Sequence, residues 1–316
     1  MFEDLSLFLS NVSIAARQVG ILYILALVGV LADKTKIFTE STAKKCTDLL
    51  FYIITPAVII NSFFTTEFSK ESATNLLISV GCGFLIHFVG IFITIPFFRK
   101  GKLEENVIYK YASIYGNVGY LTLPLTNAVL GSEGVFYCAG VVMAFNVMGF
   151  THGIILMDTE NKKFEFKKLL LNPGVIGVVI GLPFYLFNID LPQLITAPVA
   201  YIDAMQTPVA MIVFGTYLAN SDLKSIFRRK NIFLAALIKL VLLPAAMFAI
   251  YKLFGLAGTL ICALMISSCA PSANNTVMFS AKYNKDTGIA SQTVSVVSFL
   301  SIITMPIIIA FVSTYA

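Results

Sequence analysis

The sequence predicts an all-α membrane protein with ten transmembrane helices. Hydrophobic residues make up 58% of its 316 residues and charged residues only 12%, whereas about a quarter of the residues in a typical soluble domain are charged. The apolar residues form long continuous runs rather than the alternating pattern of barrel strands. This composition excludes a disordered chain, and a net charge of +5 without a basic stripe argues against a nucleic-acid partner.

Each predicted span is long enough to cross the hydrocarbon core of a bilayer, which takes about 20 residues of helix. A helix is expected throughout, because backbone groups in lipid must find their hydrogen-bond partners within the segment. In chain order the predicted spans are 14–32, 47–66, 74–98, 107–130, 134–157, 169–188, 196–219, 231–254, 256–281 and 288–314.

The basic residues mark one side of the membrane. Eighteen of the 22 Lys and Arg residues lie in the loops that follow spans 1, 3, 5, 7 and 9 or, in the case of Lys110, in the first turn of the next span. Only Arg17, Lys70 and Lys252 lie on the opposite side, and Lys239 lies inside span 8. Because cytoplasmic loops are enriched in Lys and Arg, we expect a multi-pass protein of the cell membrane with these loops in the cytoplasm and both termini outside.

The ten spans divide into two halves of five around the basic loop 158–168. An odd number of spans in each half gives the halves opposite orientations. The Thr-Pro pair at 55–56 recurs 152 residues later at 207–208, and the turn at 131–134 matches the turn at 285–288, which lies 154 residues later. We therefore predict two five-helix inverted repeats, the construction of many secondary transporters.

Spans 4 and 9 are interrupted at their middles by helix-breaking and small polar residues. Span 4 carries Y-G-N-V-G-Y-L-T-L-P at 115–124, and span 9 carries S-S-C-A-P-S-A-N-N-T at 267–276. Prolines also kink ordinary membrane helices, but paired interruptions at matching positions indicate a binding site at the membrane midplane. We predict that helices 4 and 9 are broken and cross, and that their free N–H groups favour an anion. The candidate substrate-binding residues are Gly116, Asn117, Gly119, Pro124, Pro271, Ser272, Asn274 and Asn275.

Two further candidates for substrate binding are isolated amides in apolar runs, Asn61 in span 2 and Asn146 in span 5. Such side chains line a substrate path or only bridge neighbouring helices. We expect Asn61 to face the crossing of the broken helices from span 2.

Lys239 in span 8 and His87 in span 3 are the candidate coupling residues, and they lie 152 residues apart. A charge inside a membrane span is costly and marks a functional site. Lys239 could replace a bound cation or neutralise a substrate carboxylate, and His87 could carry a proton because imidazole titrates near neutral pH. The alternatives are a Lys239 that extends to the membrane surface and a His87 that packs as a neutral side chain.

The motifs of spans 4 and 9 resemble those of the auxin efflux carrier family. The resemblance rests on N-V-G-Y-L-T-L-P-L at 117–125 with G-S-E-G at 131–134, and on A-P-S-A-N-N at 270–275 with Tyr283 and Asp286. It implies a ten-helix fold related to that of bile acid/sodium symporters, an elevator-type movement and a homodimer. It also implies scaffold helices in 1–70 and 159–225 and transport-domain helices in 71–158 and 226–316. The short loop 158–168 replaces the large insert of the long plant forms, which favours a compact prokaryotic-type carrier.

The sequence carries no enzyme signature such as GxSxG, HExxH or a phosphate-binding loop. Two histidines, and five cysteines without CxxC spacing, predict neither a metal site nor a cofactor. We predict a secondary transporter of small organic carboxylate anions, coupled to protons, to sodium ions or to neither. The alternatives are a sodium-coupled symporter of larger amphipathic acids and a non-transporting membrane sensor of organic acids.

Overall fold

The computed structural model describes residues 2–159, 173–220 and 229–315. These residues form helices, and the extended pairing among them is an isolated antiparallel bridge between Gly116 and Ser272. The prediction of an all-α protein is therefore confirmed for this part of the chain. The basic loop residues in 160–172 and 221–228 lie outside the described residues.

Fifteen helices follow one another along the described residues. The first seven are α1 (Phe2–Lys34), α2 (Glu40–Leu49), α3 (Thr55–Thr65), α4 (Lys70–Phe97), α5 (Leu103–Ile114), α6 (Leu123–Phe150) and α7 (His152–Met157). The others are α8 (Pro173–Leu186), α9 (Gln193–Ala204), α10 (Gln206–Ala219), α11 (Lys230–Leu237), α12 (Leu243–Leu253), α13 (Gly258–Ser268), α14 (Asn275–Lys282) and α15 (Thr287–Tyr315). Three π-helical turns are inserted at Leu50–Ile54, Val118–Thr122 and Ile238–Leu242.

Six helical stretches of the described chain are long and apolar enough to cross a membrane. They are Glu40–Thr65, Lys70–Phe97, Leu123–Met157, Gln193–Ala219, Lys230–Leu253 and Thr287–Tyr315. Two shorter apolar helices are Pro173–Leu186 and Gly258–Ser268. A protein that crosses the membrane several times is therefore supported, while the count of ten spans and the inverted repeat stay predictions.

A proline lies two residues after each π-helical turn, at Pro56, Pro124 and Pro244. Proline has no N–H group, and its ring collides with the carbonyl group four residues earlier. A wider turn moves that carbonyl away from the ring, which explains why the helix widens directly before each proline. Such π-helical turns are frequent at functional sites, and these three adjoin Thr55, adjoin Asn117 and contain Lys239.

The helix α6 bends sharply at Gly131, where the backbone has φ of 67° and ψ of −161°. A positive φ is strained for side chains with a Cβ but is freely adopted by glycine. The bend falls in the turn predicted between spans 4 and 5.

The helices α1 and α10 cross at close range through two glycines. A Cβ on Gly29 would overlap the carbonyl oxygen of Ile212, and a Cβ on Gly215 would overlap that of Ala26. Small residues allow membrane helices to pack backbone against backbone. This crossing fixes the position of α10, whose first residue, Gln206, contacts the candidate site.

Candidate functional site

The interruptions predicted in spans 4 and 9 lie against each other. Non-helical backbone follows α5 and follows α13, and the two segments exchange hydrogen bonds. The Asn117 amide donates to the Pro271 carbonyl at 2.7 Å, and the Ala273 amide donates to the Tyr115 carbonyl at 2.9 Å. Each break therefore supplies partners for the other, which allows irregular backbone to lie inside a helical bundle.

Side-chain hydrogen bonds hold the crossing in place. The Ser272 hydroxyl donates to the Ala112 carbonyl at 2.7 Å, and the Thr122 hydroxyl donates to the Asn117 carbonyl at 3.2 Å. Pro124 lies two residues after the π-helical turn Val118–Thr122 and has no N–H group to donate to the carbonyl groups of that turn.

Gly116 leaves room for the ammonium group of Lys239. A Cβ at position 116 would lie 3.0 Å from Lys239 Nζ and 3.2 Å from Ala270 Cβ. Lys239 belongs to the π-helical turn Ile238–Leu242 and is only 1% exposed. The side chain therefore does not extend to the membrane surface, and its charge lies beside the crossing.

His87 is buried against the residue that precedes Gly116. Its ring lies 5.2 Å from the ring of Tyr115, and its Nδ1 atom lies 2.6 Å from the Gly83 carbonyl oxygen. Because a carbonyl oxygen only accepts hydrogen bonds, Nδ1 carries the proton of the neutral ring, and Nε2 is the atom that can gain one. The two candidate coupling residues thus contact the adjacent residues Tyr115 and Gly116.

Two cavities adjoin the crossing, and Asn117 and Asn274 line both of them. The larger cavity is partly open, and its lining also includes Thr55, Asn146 and Asn275. The smaller cavity extends from the crossing to the π-helical turn after α2 and to α10. The lining residues of both cavities are uncharged, and no cluster of three or more His, Cys, Asp or Glu side chains forms in the described ranges.

The structure brings most of the predicted substrate-binding residues to the larger cavity. Those that line it are Gly116, Asn117, Gly119, Asn146, Asn274 and Asn275. Pro124, Pro271 and Ser272 contribute instead to the backbone of the crossing. Asn61 lies apart from both cavities, and its Nδ2 atom donates to Asp203 Oδ2 at 2.7 Å.

Several polar contacts of the site were not predicted from the sequence. Gln206 Nε2 donates to the Gly119 carbonyl at 3.2 Å, and the only sequence signal for it is its place directly before the Thr-Pro pair at 207–208. The Tyr115 hydroxyl donates to the Met148 carbonyl at 2.9 Å and lies 2.9 Å from His152 Nδ1. A phenol has a single proton to donate, so His152 is the donor in this second hydrogen bond.

Alanine substitutions at two glycines test the contact between the crossing and Lys239. We expect Gly116→Ala to impair transport strongly, because the added methyl group meets Lys239 Nζ and Ala270 Cβ. Gly81→Ala on α4 is the matched control, since Gly81 lies outside both cavities and a Cβ there meets nothing within 4 Å. The measurement is uptake by the purified variants in liposomes, and equal uptake by both variants would contradict the packing described for Gly116.

Broken helices that cross inside an apolar bundle, beside a cavity with uncharged lining and a buried lysine, define a membrane protein of the transporter class. The chain belongs to the family described as Membrane transport protein, which matches residues 14–167 and 162–309. The resemblance to the auxin efflux carrier family is therefore confirmed.

Curated relatives of similar length carry transporter names. An uncharacterized transporter of Methanocaldococcus jannaschii is 25% identical over 299 residues, which cover 90% of this chain and 94% of the relative. A protein of Rhizobium meliloti named "Putative malonate transporter" is 22% identical over 267 residues, covering 81% of this chain and 82% of the relative. An uncharacterized transporter of Methanothermobacter thermautotrophicus is 22% identical over 294 residues and covers 90% and 94%.

Proposed function

We propose that the protein is a secondary transporter of small organic carboxylate anions, with the substrate bound at the crossing of the two broken helices. The observation that carries the proposal is the buried ammonium group of Lys239 beside Gly116, a residue that lines the larger cavity together with asparagine and threonine side chains. Membership of a transporter family accounts for transport. The buried positive charge accounts for the preference for an anion.

The backbone at the crossing adds to this preference. A π-helical turn begins at Val118 and α14 begins at Asn275, so two helical segments start at the crossing. Helix N-termini carry partial positive charge and unpaired N–H groups. Asn117 and Asn274 add neutral amides that donate hydrogen bonds to carboxylate oxygens.

We extend the proposal to an elevator-type movement of 71–158 and 226–316 against 1–70 and 159–225. The lining of the smaller cavity supports this division. Thr47 and Met211 line it from the scaffold segments, and Asn117 and Asn274 line it from the crossing. A substrate at the crossing would therefore lie at the boundary between the scaffold segments and the transport-domain segments. The proposal includes the homodimer of the family resemblance, in a lipid bilayer.

For coupling, we propose that Lys239 supplies a fixed positive charge and that His87 carries the proton that moves with the substrate. The support is the contact of Lys239 with Gly116, which lines the larger cavity, and the contact of His87 with the adjacent Tyr115. Transport that depends on the pH gradient fits this assignment. A requirement for sodium would favour the alternative of a sodium-coupled symporter.

The test is uptake of labelled malonate by the purified protein in liposomes, with either a pH gradient or a sodium gradient. We expect saturable uptake above that of empty liposomes, stimulated by the pH gradient and indifferent to sodium. A thermal-shift assay run in parallel measures binding, because a ligand that binds the folded state raises the melting temperature. If short acids bind and none crosses the membrane, the transport proposal is wrong and the sensor alternative is favoured.

A further inference from the structure

We propose that Thr55 and Asn146 form a second polar subsite that selects acids with a second hydrogen-bond-accepting oxygen over plain monocarboxylates. The inference rests on the proposed function and names the substrate class of the same cavity. The second oxygen belongs to another carboxylate or to a hydroxyl group. The carboxylate common to all substrates binds at the crossing.

The Thr55 hydroxyl is buried without a hydrogen-bond partner among the residues that the structure describes. Buried hydroxyls in this protein normally donate to the carbonyl group four residues earlier. Examples are Ser113 to Tyr109 and Thr293 to Ile289, each at 2.8 Å. Thr55 is an exception to this pattern, and it lies in a wall of the larger cavity.

The π-helical turn before Thr55 explains why its hydroxyl is left over. The Thr55 amide bonds to the carbonyl of Leu50, five residues earlier rather than four. The wider turn moves the preceding carbonyl groups away from the position that a threonine hydroxyl normally reaches. Pro56 keeps the turn wide, because its ring does not tolerate the regular helical spacing.

Asn146 places a second polar group in the same cavity. It lies on α6, is 4% exposed, and lines the cavity together with Thr55, Asn117 and Asn274. A buried hydroxyl without a partner destabilises the protein, and a ligand oxygen would supply the missing hydrogen bond. Phe51 and Phe145 also line the cavity and provide apolar surface for a short carbon chain.

The uncharged lining decides what the subsite can recognise. A basic side chain at the subsite would favour a second negative charge, whereas a hydroxyl and an amide N–H donate hydrogen bonds to either a carboxylate or an alcohol oxygen. The subsite therefore separates malonate and lactate from propionate, which has three carbons but only one polar end. A site built to hydrogen-bond a substrate group rejects an analogue that lacks it.

The experiment compares Thr55→Val with Thr55→Ser in liposome uptake and in thermal shift with malonate, lactate and propionate as probes. We expect wild type and Thr55→Ser to prefer malonate and lactate. In Thr55→Val this preference falls about tenfold, because the loss of one hydrogen bond changes binding by about that factor. Uptake and binding of propionate are expected to stay unchanged. Without ligand, Thr55→Val melts at a higher temperature than wild type, because an unsatisfied buried hydroxyl has been removed.

The matched control is Thr293→Val, because the Thr293 hydroxyl is equally buried but donates to the Ile289 carbonyl at 2.8 Å. This variant is expected to keep the wild-type substrate preference and to lose stability. If Thr55→Val keeps the preference of wild type, or if wild type prefers propionate, the subsite is wrong while the transporter stands. If wild type takes up none of the three acids, the proposed function itself fails.

Discussion

Lys239→Met is expected to abolish substrate transport while leaving the folded protein at least as heat-stable as wild type. Lys239 is 1% exposed inside the helical bundle. Its side chain does not extend to the surface, so its charge lies away from water. Burying an unpaired ion destabilises a fold by several kcal/mol, and methionine fills nearly the same volume without that penalty. A charge retained at such a cost indicates a role in function.

The loss of transport follows from the position of the ammonium group beside Gly116. Removing a charge that faces a bound carboxylate weakens binding by about 3 kcal/mol, or about a hundredfold. The measurements are malonate uptake in liposomes, the malonate-induced thermal shift, and the melting temperature without ligand. Lys239→Ala should lose transport as well, but it also leaves a cavity, so methionine separates charge from packing.

Lys239→Arg is the control that keeps the charge and changes the shape. The larger guanidinium group has little room, because a Cβ at Gly116 would already lie 3.0 Å from Nζ. We expect this variant to retain weak anion binding that Lys239→Met lacks. Normal uptake by Lys239→Met would show that the lysine is only a packing residue and would remove the main support for the anion site.

Gly215→Ala is expected to cause the largest loss of stability of any single methyl addition considered for this chain. The new Cβ would overlap the Ala26 carbonyl oxygen, which belongs to the backbone of α1 and cannot rotate away. Overpacking of a tightly packed interior costs about 1–3 kcal/mol, and overlap with backbone lies at the upper end of that range or beyond. The helices α1 and α10 must then separate, and Gln206 at the start of α10 shifts away from Gly119.

The measurement for Gly215→Ala is the melting temperature in detergent together with the fraction that elutes as a monodisperse species. Gly20→Ala on α1 is the matched control, because a Cβ there has nothing within 4 Å. That control should be neutral or slightly stabilising, since alanine is the better helix former by up to about 1 kcal/mol. Equal melting temperatures for the two variants would contradict the close crossing of α1 and α10.

The interrupted spans could be predicted from the sequence, but their contacts could not. The helix-breaking residues within 115–124 and within 267–276 are recognisable as Gly, Asn and Pro clusters in apolar runs, because such residues disfavour a regular helix in any context. Their partners were not visible. Which carbonyl accepts from the Asn117 amide depends on the crossing of segments more than 150 residues apart in the chain.

Asn61 and Thr55 show two ways in which the sequence pattern differs from the structure: one residue was singled out but lies outside the cavities, and the other was not singled out but lines one. Asn61 attracts attention as an isolated amide in an apolar run, yet the structure pairs it with Asp203 away from both cavities. The sequence does not single out Thr55, because threonine hydroxyls in membrane helices usually donate to a backbone carbonyl of their own helix. Its hydroxyl becomes significant only through the π-helical turn before it and the cavity beside it.

The sequence by itself determined that this is a helical membrane protein, where its helices break, and that Lys239 and His87 are the exceptional polar residues of their spans. These features follow from composition and local propensity, which act within one segment. Only the tertiary structure decided that the two breaks exchange hydrogen bonds, that Lys239 lies against Gly116, and that Thr55 is left without a partner. These depend on which backbone atoms approach across the bundle, and close packing between distant helices, rather than local preference, sets those distances.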